Sequence, residues 1–193
     1  MKKRIMIIFL LLVIISFLAY EFLFMTKNNE SFSVASLTDE KYLPNLLSSI
    51  SSANKSVHVI MFDASYYPKR NSSANDILIF LAAARKRNLD VKIIMEGGEA
   101  FLGPEFSNGQ SDSCSFLKNA SIQARFDPKG VTTHAKLIII DSSVIIIGST
   151  NWNYYALEKN HEASALINSQ SAAIEFEDYF SSLWKQSADC SGS

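Results

Sequence analysis

His134 and Lys136 stand two residues apart, as do Ser149 and Asn151, at the two ends of a stretch rich in Ile and Val; Asn160 and Glu162 repeat the spacing further on. Side chains alternate across an extended chain, so residues two apart project together. A Lys ammonium, an Asn amide and a Ser hydroxyl can each donate hydrogen bonds to phosphate oxygens, while an imidazole can attack phosphorus or carry a proton. A carboxylate such as Glu162, if it reaches the ring, fixes its tautomer and favours the imidazolium once formed. The set suits phosphoryl transfer. Asp141 falls on the opposite face by the same alternation, at the start of a turn, and reads as structural.

These pairs need strands to hold them. Residues 135–140 and 144–147 read as two strands joined by a turn at Asp141, Ser142 and Ser143, an arrangement that brings Ser149 and Asn151 beside His134 and Lys136. Further strands are expected at 57–62, 91–95, 122–126 and 162–167. Helices are expected at 39–53, 75–87 and 172–185, the last presenting Ile174, Phe176, Tyr179, Phe180, Leu183 and Trp184 to a core. Residues 96–115, rich in Gly, Pro, Ser, Asn and Asp, read as a long loop facing substrate. Helices and strands in this order indicate an α/β fold with a central sheet.

Residues 1–25 carry Lys2, Lys3 and Arg4 ahead of a run from Ile5 to Tyr20 in which Ser16 is the one strongly polar side chain. That pattern reads as a retained membrane anchor, with a cleaved signal as the competing reading, and the basic end places the following domain outside the cytoplasm. Residues 26–38 read as a linker, 39–187 as the domain and 188–193 as a tail. Removing Lys2, Lys3, Arg4, Lys27 and Glu21 from the 18 basic and 19 acidic residues leaves 14 against 18, a balance of −4. Broad charge-driven grip on nucleic acid is therefore disfavoured, although Lys69, Arg70, Arg85, Lys86 and Arg87 could line a local groove. Trp152, Tyr154 and Tyr155 could stack on bases or simply pack. Cys114 and Cys190 are too few for a thiolate metal cluster; they form one disulfide or remain two thiols. His58 reads as a core histidine, His161 faces away from Glu162, and no metal or cofactor is expected.

His134-Ala135-Lys136, four residues, Asp141, six residues and Gly148-Ser149-Thr150-Asn151 together resemble the HxKxxxxD and GSxN motif of the phospholipase D superfamily. Asn160-His161-Glu162 resembles its N-x-E element, and the helix ending in Leu183-Trp184 its closing aromatic helix. The resemblance implies a phospholipase D-like α/β fold, a central mixed β-sheet flanked by helices. One motif copy resembles the small members typified by bacterial endonucleases, in which two identical subunits complete one site. It further implies His134 as the nucleophile forming a phosphohistidine and the same residue of a second copy as the acid. Lys136 and Asn151 then hold phosphoryl oxygens, Ser149 supports them, Glu162 orients the imidazole, and Asp141 and Gly148 give structural support. The leading expectation is a membrane-anchored, metal-independent nuclease acting as a homodimer. A phospholipase acting on membrane lipid is the alternative, and an inactive phosphate-binding module is the third reading.

Overall fold

Strand β2 (Ser56–Met61) turns Val57, Val59 and Met61 to one core and Ile60 to another, and β3 (Asp90–Met95) divides Val91, Ile93 and Met95 from Ile94 in the same way. In β5 (Lys136–Ile140), Ile138 and Ile140 face the first core while Leu137 and Ile139 face the second. A strand buried on both faces has no polar alternation to show, which is why it reads as an unbroken apolar run. The structure, a computed structural model, describes residues 12–21, 32–97 and 102–192.

The sheet has eight strands in the order β1-β7-β6-β5-β2-β3-β4-β8. The other members are β1 (Ser33–Thr38), β4 (Gln123–Phe126), β6 (Val144–Gly148), β7 (Ala163–Asn168) and β8 (Ala188–Asp189). The pairs β2–β3 and β3–β4 are parallel and the rest antiparallel, so the sheet is mixed, as expected. Residues 12–21, called α1, are helical and belong to a separate unit of the chain, Met1–Phe32. The sheet's first core is covered by α2 (Tyr42–Ser52), α3 (Ser73–Lys86) and α4 (Gly103–Asn119), which bury Leu46 and Ile50, Leu78 and Leu81, and Leu117. Its second core is covered by α6 (Gln170–Gln186) through Ala173 and Phe180, and a short α5 (Tyr154–Glu158) lies between β6 and β7 in sequence.

Several expectations need correction. The loop expected over 96–115 is α4 from Gly103 onward. Its buried residues Gln110, Ser113, Cys114 and Leu117 keep helical spacing, but small and polar types disguise the stripe. Ser107, Ser111, Ser113 and Ser115 return their hydroxyls to carbonyls one turn back, and Cys114 is bonded to Cys190 with Cα atoms 6.0 Å apart. Tertiary anchoring thus outweighs poor helix propensity. Ser33–Thr38, expected within the linker, is strand β1, because its backbone pairs with all six residues of β7. Residues 188–190, expected as a tail, supply β8 and the disulfide. The span expected over 1–25 lies mostly outside the described residues, among which no helix is long and apolar enough to cross a membrane.

Two polar residues away from the motif's reacting groups are tied into the fold. His58 is enclosed, with Nδ1 2.6 Å from Glu177 Oε2, Nε2 3.2 Å from Asp90 Oδ2 and its ring stacked on Phe180. Asp141, at φ 53° in the β5–β6 turn, accepts the backbone N–H groups of Asn54, Lys55 and Ser56 at 2.7–2.9 Å. Burial alone would raise its pKa, but these three donors outweigh burial and hold the carboxyl below its usual value. A lowered pKa stabilises the fold above the unfolded value and ceases to do so as pH falls through the folded one. Asp141→Asn is therefore expected to cost about 2 kcal/mol at neutral pH in urea unfolding, hydrogen bonds to a charged acceptor being worth roughly that. The gap from the parent should narrow below pH 3.8, the reference value for the free carboxyl.

Candidate active site

The residue before β5 and the residue that opens it are delivered by one ladder. Met61 of β2 registers with Lys136, and Phe62 N–H continues the pairing by donating to Ala135 O at 3.0 Å. Phe62 consequently lies under both candidate groups: its ring centroid is 4.6 Å from the His134 ring and 4.6 Å from Lys136 Nζ. On another side it meets Phe106 of α4 at 5.1 Å. The approach to His134 is pinned from behind, because Thr133 N–H is shared by two buried carboxylates, Glu96 Oε2 at 2.8 Å and Asp127 Oδ2 at 3.1 Å. Asp127 Oδ1 also accepts Gly97 N–H at 2.9 Å, joining the ends of β3 and β4 to this turn.

The second pair follows β6. Leu137 of β5 registers with Ile147, so two residues beyond, Ser149 falls alongside the segment that carries His134 and Lys136. Gly148 registers with Ser164 of β7 at a distance that excludes any side chain: a Cβ there would lie 2.2 Å from Ser164 Oγ and 2.5 Å from Ala163 O. That close approach lets Ser149 N–H bond Ala163 O and Ser149 Oγ accept Ala163 N–H, each at 3.0 Å. Ser149 Oγ–H donates to Glu162 Oε2, and Asn160 Nδ2 donates to Glu162 Oε1 at 3.0 Å. Beneath them Thr150 and Ser164 hydroxyls meet at 2.9 Å, and Trp152, fully buried, donates Nε1–H to Tyr42 Oη at 3.0 Å. Asn151 Oδ1 is buried with no hydrogen-bond partner among the described residues.

Electrostatics distinguish the two nitrogens. Lys136 is only 5% exposed, and burial pulls its ammonium below the usual lysine range against the opposing fields of Glu162 and Asp63. One of its three N–H donors bonds His134 O at 2.8 Å. His134 itself is exposed, and desolvation first, then the Lys136 charge, hold its imidazole below the ordinary value of 6.5. At neutral pH the site thus offers a neutral, accessible ring beside a weakly countered cation. That combination can attack an electrophilic centre whose oxygens are anionic.

Among the expected residues, the fold draws His134 to Lys136 and ties Ser149 to Glu162 and Asn160. Glu162 faces the Lys136 charge, but neither of its oxygens is hydrogen-bonded to the His134 ring, which rests on Phe62 instead. Trp152 is fully buried in the core, which leaves no ring face open for stacking. Sequence reasoning missed Phe62, Asp63, Gln110, Glu96 and Asp127. Asp63 Oδ2 accepts Asn153 Nδ2–H at 2.6 Å, and Gln110 Nε2–H reaches Asp63 Oδ1 at 3.3 Å and Phe62 O at 3.4 Å. The visible signal was a carboxylate closing the apolar stretch Val-Ile-Met-Phe-Asp at 59–63. Among the described residues no three His, Cys, Asp or Glu side chains converge as a metal site.

A family model described as "Cardiolipin synthase, PLD-like domain" matches residues 46–184. Nuc from Salmonella typhimurium, a phospholipase D family member, superposes with a TM-score of 0.69 at 28% identity, covering 82% of this chain and 98% of that one. NucT from Helicobacter pylori shares the fold at a TM-score of 0.65 and 18% identity, over 82% of this chain and 99% of that one. Mitochondrial cardiolipin hydrolases are also similar: the Chlamydomonas reinhardtii protein is 23% identical over 74% of this chain, and the human one 33% identical over 36%. This chain spans 57% of the algal protein and 28% of the human one.

Two outcomes are expected from this geometry. Gly148→Ala must push β6 from β7 and displace Ser149; overpacking against backbone should cost about 3 kcal/mol in urea unfolding. The His134 imidazole should titrate below 6.5 in an NMR pH series, and Lys136→Met should move it upward while leaving it below that value, since burial is the larger cause.

Proposed function

Because this chain belongs to the phospholipase D superfamily, through a PLD-like domain over residues 46–184, we propose that it is a metal-independent phosphodiesterase that cleaves nucleic acid without strong sequence preference. The site is completed by a second copy of the chain. His134 of one copy, as the neutral ring, attacks phosphorus, the bond to the leaving oxygen breaks, and that oxygen takes a proton from the second copy's His134, which enters the step as the imidazolium and leaves it neutral. The second imidazole then removes a proton from water, which attacks the phosphohistidine and releases the first ring. Lys136 and Asn151 of both copies hold the phosphoryl oxygens, a fixed-donor route to meeting charge that develops in the transition state. Ser149 and Glu162 brace this arrangement.

The observation that carries the reading is the neutral His134 ring beside the buried Lys136 cation, with the β5–β6 register bringing the Ser149–Asn151 segment to them. A nucleic-acid substrate is supported by the single motif copy and by the near-complete coverage of Nuc, against partial coverage of the cardiolipin hydrolases. The lipid reading draws on those relatives' names and on the apolar N-terminal segment. The N-terminal segment serves as a membrane anchor, with the domain on the extracytoplasmic side. The Cys114–Cys190 bond supports that side, since such bonds persist in oxidising compartments.

The test offers the full chain, in detergent with EDTA, single-stranded DNA, duplex DNA, RNA and mixed micelles of cardiolipin or phosphatidylcholine. Nucleic-acid cleavage that survives EDTA and falls by about 10⁴-fold or more in His134→Ala is expected. Turnover of lipid alone transfers the assignment to a phospholipase, and inactivity of a dimeric protein towards every substrate leaves a phosphate-binding module.

A further inference from the structure

Beside the candidate site, on the far flank of Asp63, lies a cluster that the chemistry above does not use. Arg70 holds its guanidinium 4.2 Å from the Tyr67 ring centroid and 5.4 Å from that of Tyr154. Lys159 approaches Tyr154 at 5.7 Å, and Tyr155, 67% exposed, meets Tyr154 edge-on at 5.5 Å. Among the described residues, neither the Arg70 guanidinium nor the Lys159 ammonium is ion-paired. Both cations lie against the Tyr154 ring, so the cluster joins positive charge to aromatic surface.

Hydrogen bonds tie the cluster together and to the candidate site. Asn75 fastens its loop by accepting Tyr67 N–H at 2.8 Å and donating to Tyr67 O and Arg70 O, each at 2.9 Å. Tyr154 N–H donates to Tyr67 Oη at 3.2 Å, which clips this loop to α5. A short physical path leads from there to the reacting groups: Tyr154 follows Asn153, which bonds Asp63, and Asp63 follows Phe62, on which the His134 ring rests.

We propose that Tyr67, Arg70, Tyr154, Tyr155 and Lys159 form a docking surface for single-stranded nucleic acid, holding the strand on one side of the bond to be cut. This rests on the nucleic-acid reading above and deepens it. The exposed Tyr155 ring can stack on any base, the cations held over the half-buried Tyr67 and Tyr154 rings meet the backbone phosphates, and neither contact requires a particular sequence. A duplex hides its base faces, so the surface selects unpaired strands. A membrane surface fits less well: Tyr155 is the one exposed large apolar side chain in residues 64–72 and 152–160, and it offers a single ring to insert.

The full chain in detergent, carrying His134→Ala so that nothing is cut, is titrated into a fluorescein-labelled oligothymidylate, with anisotropy as the readout. Adding Arg70→Ala or Tyr155→Ala should weaken binding by about tenfold each. Tyr155→Phe should retain it, and Arg70→Ala and Lys159→Ala should each flatten the salt dependence. With His134 intact, the same variants should hydrolyse bis(p-nitrophenyl) phosphate, too small to reach the cluster, at the parental rate, which also shows that they fold. Oligonucleotide affinity within twofold of the parent in every variant overturns the docking surface, even if the parent cleaves DNA. Loss of binding to phosphatidylglycerol vesicles with DNA binding intact overturns it in favour of a membrane contact. A parent that binds the oligonucleotide through these residues but cuts no nucleic acid keeps the surface and overturns the nuclease.

Discussion

The register of β5 governs what the rest of the structure can do. This strand is bonded to β2 on one side and β6 on the other, and its five residues are buried. A slip by one residue would turn Lys136 from the first core's side to the second's and carry His134 off Phe62. Ile, Leu and Val supply attraction without direction, so something polar must choose among registers that bury similar area. Asp141 does this at one end by gripping three consecutive backbone N–H groups at the start of β2. Thr133, held between Glu96 and Asp127, does it at the other.

Between those clamps the domain retains a buried cation that a core would ordinarily reject. Isolated charge in a low-dielectric interior is costly, and Lys136 tolerates it through the carbonyl of His134, the Phe62 ring face and the more distant carboxylates of Glu162 and Asp63. None of these neutralises it at close range as a contact salt bridge would. The Lys136 field therefore remains available and disfavours protonation of the neighbouring imidazole. The burial of Lys136 thus lowers its own pKa and adds, behind the imidazole's own desolvation, to the lowering at His134.

The placement of His134 beside Lys136, with Ser149 alongside in register, was legible because a strand's period is two and a hairpin aligns the segments; the surroundings of Asn151 were not. The role of Asp141 followed from the same parity. Gly148 could be read as part of a motif, yet the reason for it, Ser164 pressed against its backbone, belongs to a strand met only in the folded sheet. The α4 helix was illegible because its inward stripe is Gln, Ser and Cys, residues whose burial is settled by distant partners: Asp63, Ala64 and Cys190. Strand β1 escaped for a related reason. Five of its six residues are exposed, so hydrophobic periodicity had nothing to report, and its pairing lies entirely in the backbone. Glu162 marks a different boundary: its proximity to the site was readable, but its hydrogen-bond partners were not.

The cross-link between Cys114 and Cys190 closes a sequence separation of 76 residues, a constraint on the unfolded chain worth about 4 kcal/mol in the loop-entropy picture. The helix it fastens also carries Gln110 and Phe106, which touch Asp63 and Phe62, the floor beneath the candidate site. Synthesis must therefore proceed through residue 190, and the thiols must meet an oxidant, before that floor is locked. A polypeptide with both thiols still reduced would hold every candidate side chain while the helix that carries Phe106 and Gln110 lacked its covalent tie to the C-terminal residues.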